Sequence, residues 1–178
     1  MPHRLLIALL GVAALPAEIL APTPDAVVEV GPVRIIARVE GKGELRVNDK
    51  TVAAESPAAG VLTAEVKLPA GTHEIALFAA GKEEKRKIQV GGKVNFRAHP
   101  PAAGCDACHA VKDGEWAFQR ASLTGVCFTC HQRDSFAAKH THVPGVLADC
   151  QMCHSPHGST AVAHLKMEKA QACKLCHN

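Results

Sequence analysis

One five-residue unit occurs four times between positions 99 and 178: Cys105-Asp106-Ala107-Cys108-His109, Cys127-Phe128-Thr129-Cys130-His131, Cys150-Gln151-Met152-Cys153-His154 and Cys173-Lys174-Leu175-Cys176-His177. All eight cysteines of the chain belong to these units. A Cys-x-x-Cys pair with histidine directly after it is the attachment pattern of c-type haem. The thiols form thioethers with the porphyrin vinyl groups, and the histidine is placed to bind iron from the proximal side. The pattern therefore predicts four covalent haems c on Cys105, Cys108, Cys127, Cys130, Cys150, Cys153, Cys173 and Cys176. His109, His131, His154 and His177 are the expected proximal ligands.

Two other chemistries use cysteines so spaced. Cys105-x2-Cys108-x18-Cys127-x2-Cys130 has the spacing of a four-cysteine zinc site. Zinc, however, gives no reason for a histidine after every second cysteine. With 11 histidines in 178 residues, four out of four by chance has odds on the order of 1 in 100,000. Disulfides within each unit would be labile redox bridges and an unusual structural framework.

Composition agrees with haem. The chain has five Phe and one Trp, and a segment of about eighty residues builds only a marginal core of its own. Porphyrins would supply the missing apolar bulk, so residues 96–178 are expected to be haem-cored and loop-rich, with short α-helices at the units. Without haem the segment is expected to be disordered. Trp116 and Phe118 are expected to pack against porphyrin.

Residues 1–21 have the layout of a secretory signal peptide: basic His3-Arg4, an apolar run Leu5–Leu15, then Pro16-Ala17. The run is too short to span a bilayer. Cleavage after Ala17 or Ala21 is expected, leaving no membrane span. No cysteine lies near the run, which excludes lipid anchoring through an N-terminal cysteine.

Residues 22–95 lack cysteine and alternate short β-branched runs with turns. Strands are expected at Ala26–Val30, Val33–Val39, Glu44–Val47, Lys50–Ala53, Val61–Leu68, Thr72–Ala79 and Glu83–Val90, with Asn48-Asp49 as a hairpin turn. Strands at this spacing suggest a small antiparallel β-sandwich of immunoglobulin-like type. Leu68–Leu77 resembles the late hairpin of such adhesive domains. His73 reads as a surface or core histidine, and Lys85-Arg86-Lys87, following Glu83-Glu84, as a solvated strand face. Twelve Lys/Arg against ten Asp/Glu over residues 22–98 give no case for nucleic acid. The sandwich would anchor or dock the remainder.

In the last segment the first cysteines are 22, 23 and 23 residues apart, and a longer period overlies this. His99-Pro100-Pro101 leads into Cys105, and His142-Val143-Pro144 leads into Cys150, 45 residues on. The chain reads as two tandem two-haem modules. His142-Val143-Pro144, Asp149 to His154, Ser155-Pro156-His157-Gly158 and Cys173 to His177 resemble the doubled-CXXCH multihaem cytochromes, relatives of the cytochrome c3 group and of extracellular electron-conducting cytochromes. The first module departs from this pattern, with Ala110-Val111-Lys112 where the second has Ser155-Pro156-His157.

Bis-histidine coordination needs four distal ligands, and five histidines qualify: His99, His140, His142, His157 and His164. His99 and His142 match each other as lead-ins, and the resemblance marks His157. For the fourth, His164 is preferred over His140, which would compete with His142. Iron with histidine on both faces has no open position for substrate, so an electron-transfer protein and not an enzyme is expected. The resemblance implies export, since c-type attachment occurs outside the cytoplasm, to the periplasm or cell surface. It also implies redox partner proteins or an external acceptor, no nucleic acid, and in filament-forming relatives further copies of the chain. A reductase with one open haem is the remaining class. Eight propionates would make the holo surface more negative than the formal charge of +3 suggests, favouring a cationic partner.

Overall fold

The computed structural model describes residues 17–99, 104–137, 142 and 144–177. Met1–Pro16, which carry most of the expected signal peptide, and His140 lie outside the described residues.

Eight strands build the first domain: β1 Glu18–Ala21, β2 Val27–Val28, β3 Gly31–Arg38, β4 Gly43–Val47, β5 Lys50–Thr51, β6 Val61–Leu68, β7 Gly71–Ala79 and β8 Lys82–Val90. They form two sheets, β1-β3-β6 and β2-β8-β7-β4-β5. This is the strand order of an immunoglobulin-like sandwich, with the short β5 extending the larger sheet. Alternation decides which side chains turn inward. Val33, Ile35 and Ala37 of β3 face Leu45 and Val47 of β4, Ile75, Leu77 and Ala79 of β7, and Ile88 and Val90 of β8 in one buried cluster.

Four expectations need correction. The domain begins at Glu18 instead of 22: Ile19 and Ala21 are buried, β1 pairs with β3, and the Ile19 N–H donates to Glu84 Oε2 at 2.9 Å. Within Ala26–Val30 only Val27–Val28 is strand, and it runs parallel to β8, so the sandwich is antiparallel except at this edge. Lys50–Ala53 shrinks to Lys50–Thr51. Pro69-Ala70-Gly71 is no hairpin, because β6 and β7 belong to different sheets. It is the corner where the chain crosses the core, both strands turning their apolar faces to the same interior.

The β4–β5 hairpin forms as expected, with Asn48 at φ 48° and Asp49 at φ 63°, the left-handed pair of a tight hairpin turn. His73 is a core histidine. Its Nε2 bonds the Pro69 carbonyl at 2.9 Å and its Nδ1 bonds Asn48 Nδ2 at 2.8 Å, while Asn48 Oδ1 accepts from the Glu74 N–H. One small network thereby ties the hairpin to the corner. On β8 Lys85 pairs with Glu74 and Glu83, and Arg86 with Glu84, so two of the three residues of the basic run are paired within their own sheet.

The second segment has little apolar interior. Val126 and Ala161 are its buried hydrophobic residues among those described. Its elements are short: a 3-10 turn Cys105–Ala107, a hairpin of β9 His109–Lys112 and β10 Glu115–Phe118, α1 Leu123–Cys127, α2 Asp134–Ala137, α3 Pro144–Leu147, 3-10 turns Cys150–Met152 and Val162–His164, and α4 Lys169–Lys174. Among the described residues it meets the sandwich through the linker and through a hairpin tip. Phe96 packs on the core, and Arg97 and Ser159 exchange backbone bonds at 2.9 and 3.0 Å. At the hairpin tip the Gly114 carbonyl accepts from the Ala59 N–H at 2.9 Å.

The two-module repeat is present in the backbone. The first unit of each module is a 3-10 turn, while the second sits at the end of an α-helix, α1 or α4. After each first unit the chain returns alongside itself: His109 pairs with Phe118 and His154 with Leu165. Gln119 N–H then donates to the Cys108 carbonyl, and Lys166 N–H to the Cys153 carbonyl.

Candidate functional site

Each Cys-x-x-Cys-His unit is wound into a backbone turn. In three units the histidine N–H donates to the first cysteine's carbonyl: His131 to Cys127 at 3.0 Å, His154 to Cys150 at 2.9 Å, His177 to Cys173 at 3.0 Å. In the first unit the turn closes one residue earlier, Cys108 N–H to the Cys105 carbonyl at 3.2 Å, because His109 already belongs to β9. No disulfide joins any two of the eight cysteines.

The histidines meet in pairs drawn from distant parts of the segment. His109 lies 6.3 Å from His157 between ring centres, with the planes 10° apart. His131 lies 6.0 Å from His99 at 60°, and His177 lies 6.1 Å from His142 at 45°. Each pair joins one expected proximal with one expected distal histidine. His99 and His142 make the same choice in their two modules, each meeting the second unit. His157 reaches back across the module boundary to the first. His154 is oriented by its backbone neighbour, Nδ1 donating to the Ala163 carbonyl at 2.8 Å, which leaves Nε2 as its remaining nitrogen. His164 lies 5.4 Å from the His99 ring, and its buried Nδ1 has no hydrogen-bond partner among the described residues.

Burial disfavours the charged form of four of these rings, His99, His109, His157 and His164, and the neutral form is the one that binds metal. Burial pushes the pKa of His157 down, aided by His109 and His99. Burial does the same to His99, aided by His131, and to His109, where the Ala117 carbonyl opposes it. His164 is lowered by burial and then by His99, Arg97 and His154. The thiols move the other way. Burial and then Cys150 and Cys108 push Cys127 up to about 11, and burial and Cys130 raise Cys108. These sulfurs belong to three different units, so the first three attachment points converge. Thr124 of α1 strengthens the junction: its hydroxyl donates to the Ala148 carbonyl and lies 3.8 Å from Cys150 Sγ.

Whether these residues fit haem is a question of distance. Two imidazoles on opposite sides of one iron, each nitrogen about 2 Å from the metal and each ring centre about 1.1 Å beyond, stand about 6.2 Å apart. The three pairs fit that spacing. Among the described residues no group of three or more His, Cys, Asp or Glu side chains is gathered to hold a metal ion.

Sequence reasoning missed the β9–β10 hairpin, where helices and loops were expected. Its signal was available, since Asp113-Gly114 between two short runs is a tight-turn pair; both take positive φ, 53° and 81°. The hairpin brings Trp116 onto His109, with ring centres 4.5 Å apart and planes 13° apart, and Phe118 to 5.5 Å. The described ring contacts of both aromatics are thus with the imidazole.

Residues 142–178 match the family model for the doubled CXXCH motif, the motif of multihaem c-type cytochromes that hold haem c covalently. No curated protein matches the chain. Among solved structures, titin M4 in its trigonal form is similar at 17% identity over 42% of this chain and 92% of that one, with a TM-score of 0.29. The titin M1 domain is similar at 20% identity over 45% and 95%, with a TM-score of 0.28. Among the described residues no helix is long and apolar enough to cross a membrane.

Proposed function

We propose that the chain is an exported tetrahaem c-type cytochrome that carries single electrons along a row of bis-histidine haems. The observation that carries this reading is the 6.0–6.3 Å separation of three histidine pairs, each one proximal and one distal. His109 and His157 would hold the first haem, His131 and His99 the second, and His177 and His142 the fourth. For the third, the preference for His164 is reversed in favour of His140. Ala163, whose carbonyl takes the Nδ1 proton of His154, directly precedes His164, and the His164 ring lies against His99.

Bound haem supplies one-electron chemistry. The chain's own histidines would occupy both faces of each iron, the Ala163 carbonyl would orient His154, and burial disfavours the charged form of His99, His109 and His157. Closed coordination leaves no place for a substrate, which favours electron transfer over enzymatic turnover. The exchange point would be the fourth unit: Cys173, Cys176, His177 and His142 are all exposed, so a redox partner, an external acceptor or a further copy of the chain can approach. Export would follow cleavage after Ala17, which leaves β1 whole, whereas cleavage after Ala21 would delete it.

The test is the mass and optical spectrum of mature protein from a host with c-type maturation. Four haem masses on the polypeptide, a sharp reduced α-band and no high-spin band are expected. A high-spin band in the fully loaded protein would overturn bis-histidine closure. Fewer than four haem masses would overturn the tetrahaem count.

A further inference from the structure

We infer that Trp116 is a positioning residue that sets the imidazole plane of His109. The inference rests on the reading of His109 and His157 as the two axial ligands of one haem. An imidazole bound through one nitrogen turns readily about the metal–nitrogen axis, so its plane is set by whatever touches the ring. The three described pairs differ in this respect: 10° for His109 and His157, 60° for His131 and His99, 45° for His177 and His142. His109 carries the Trp116 indole stacked on its face, and its pair is the near-parallel one.

The hairpin makes that stack rigid. Phe118 stands directly opposite His109 in the β9–β10 register, and Trp116 is the diagonal neighbour on the same face. Diagonal neighbours in an antiparallel pair lie within reach of large aromatic side chains. Trp116 accordingly lies nearly flat on the imidazole, at 13°, and Phe118 closes one end of the stack at 27°. The base of the hairpin is locked by the Gln119 side chain, whose Nε2 donates to the Asp106 and His109 carbonyls at 2.9 and 3.0 Å. Its tip hangs from the sandwich through Ala59 and Gly114. The β domain therefore holds the strand that holds the indole, which gives it a part in tuning the first haem. The angle between axial imidazole planes controls the splitting of the ferric d-orbitals. Near-parallel planes give a rhombic low-spin electron paramagnetic resonance spectrum, and strongly crossed planes give one dominated by a single large g value.

The experiment uses the full mature holoprotein with haem content fixed by mass, so that loss of haem, which would sink the underlying reading, is distinguished from loss of plane control. Wild type should show one rhombic low-spin component. Trp116→Ala, carrying its full haem complement, should lose that component to one of larger g anisotropy, and Trp116→Phe, which can still stack, should restore it. Should Trp116→Ala fail to load fully, Trp116→Leu keeps apolar bulk without a stacking face and is read the same way. A rhombic component unchanged in whichever of these variants loads fully, or absent from fully loaded wild type, overturns the inference.

Discussion

Gly158 is the residue on which the docking of the two domains can be tested most directly. Its φ is +127°, and a methyl group there would meet the Arg97 carbonyl oxygen at 2.7 Å, Phe96 Cζ at 2.7 Å and Ala98 Cα at 3.0 Å. The backbone atoms cannot retreat freely, because Arg97 is held to Ser159 by two hydrogen bonds. Forcing a non-glycine residue into this region costs about 1–3 kcal/mol. Opening the bridge to relieve the clash gives up two backbone bonds at about 1 kcal/mol each. Gly158→Ala should therefore weaken docking of the second module by about 3–5 kcal/mol. With a urea slope of about 1–3 kcal/mol/M for a small protein, the midpoint should fall by at least about 1 M. The assay is a urea titration of the holoprotein followed by the Soret band and, separately, by far-ultraviolet circular dichroism of the sheets. The Soret midpoint should move and the sheet midpoint should move less, since the buried sandwich core does not include Gly158. An unchanged Soret midpoint would refute the strap as described.

Three further outcomes are expected. His157→Ala should retain every haem by mass, because the thioethers are untouched, and convert one haem to a high-spin form visible in the optical spectrum; a fully low-spin product contradicts its pairing with His109. His140→Ala should do the same for the third haem, while His164→Ala should leave all irons low-spin; the opposite result restores the sequence-based preference. Ile75→Ala, at a fully buried position, should cost the sandwich about 2–5 kcal/mol, read by thermal melting of the sheet signal, with no change in the reduced α-band.

Much of the sandwich was legible because its strands obey a local rule. Val61–Leu68 alternates and Asn48-Asp49 is a tight-turn pair, so those elements fall where they were expected, while the turn between β7 and β8 is Ala80-Gly81, with Lys82 already in β8. Errors arose where pairing partners decide. Glu18–Ala21 reads as the tail of an apolar leader until β3 offers it an edge, and Pro69-Ala70-Gly71 reads as a hairpin until its two strands enter different sheets. In the last segment the Cys-x-x-Cys-His units were legible and the meetings between histidines were not. Nothing local to His157 says that it meets His109 rather than His154, which lies three residues away.

By itself the sequence indicated the chemistry: Cys-x-x-Cys-His units point to covalently held haem c, and the scarcity of aromatics and of apolar bulk around them leaves that segment little from which to build a core of its own. It also determined the alternating strands upstream, since side-chain period is a property of the chain alone. Tertiary structure decided the rest. The cross-module meeting of His157 with His109, the indole laid on that imidazole, and the strap of Phe96 and Arg97 against Gly158 and Ser159 all join residues far apart in the chain. Long-range contacts of this kind follow from how surfaces pack and which backbone groups remain to be bonded, and no window of neighbouring residues contains that information.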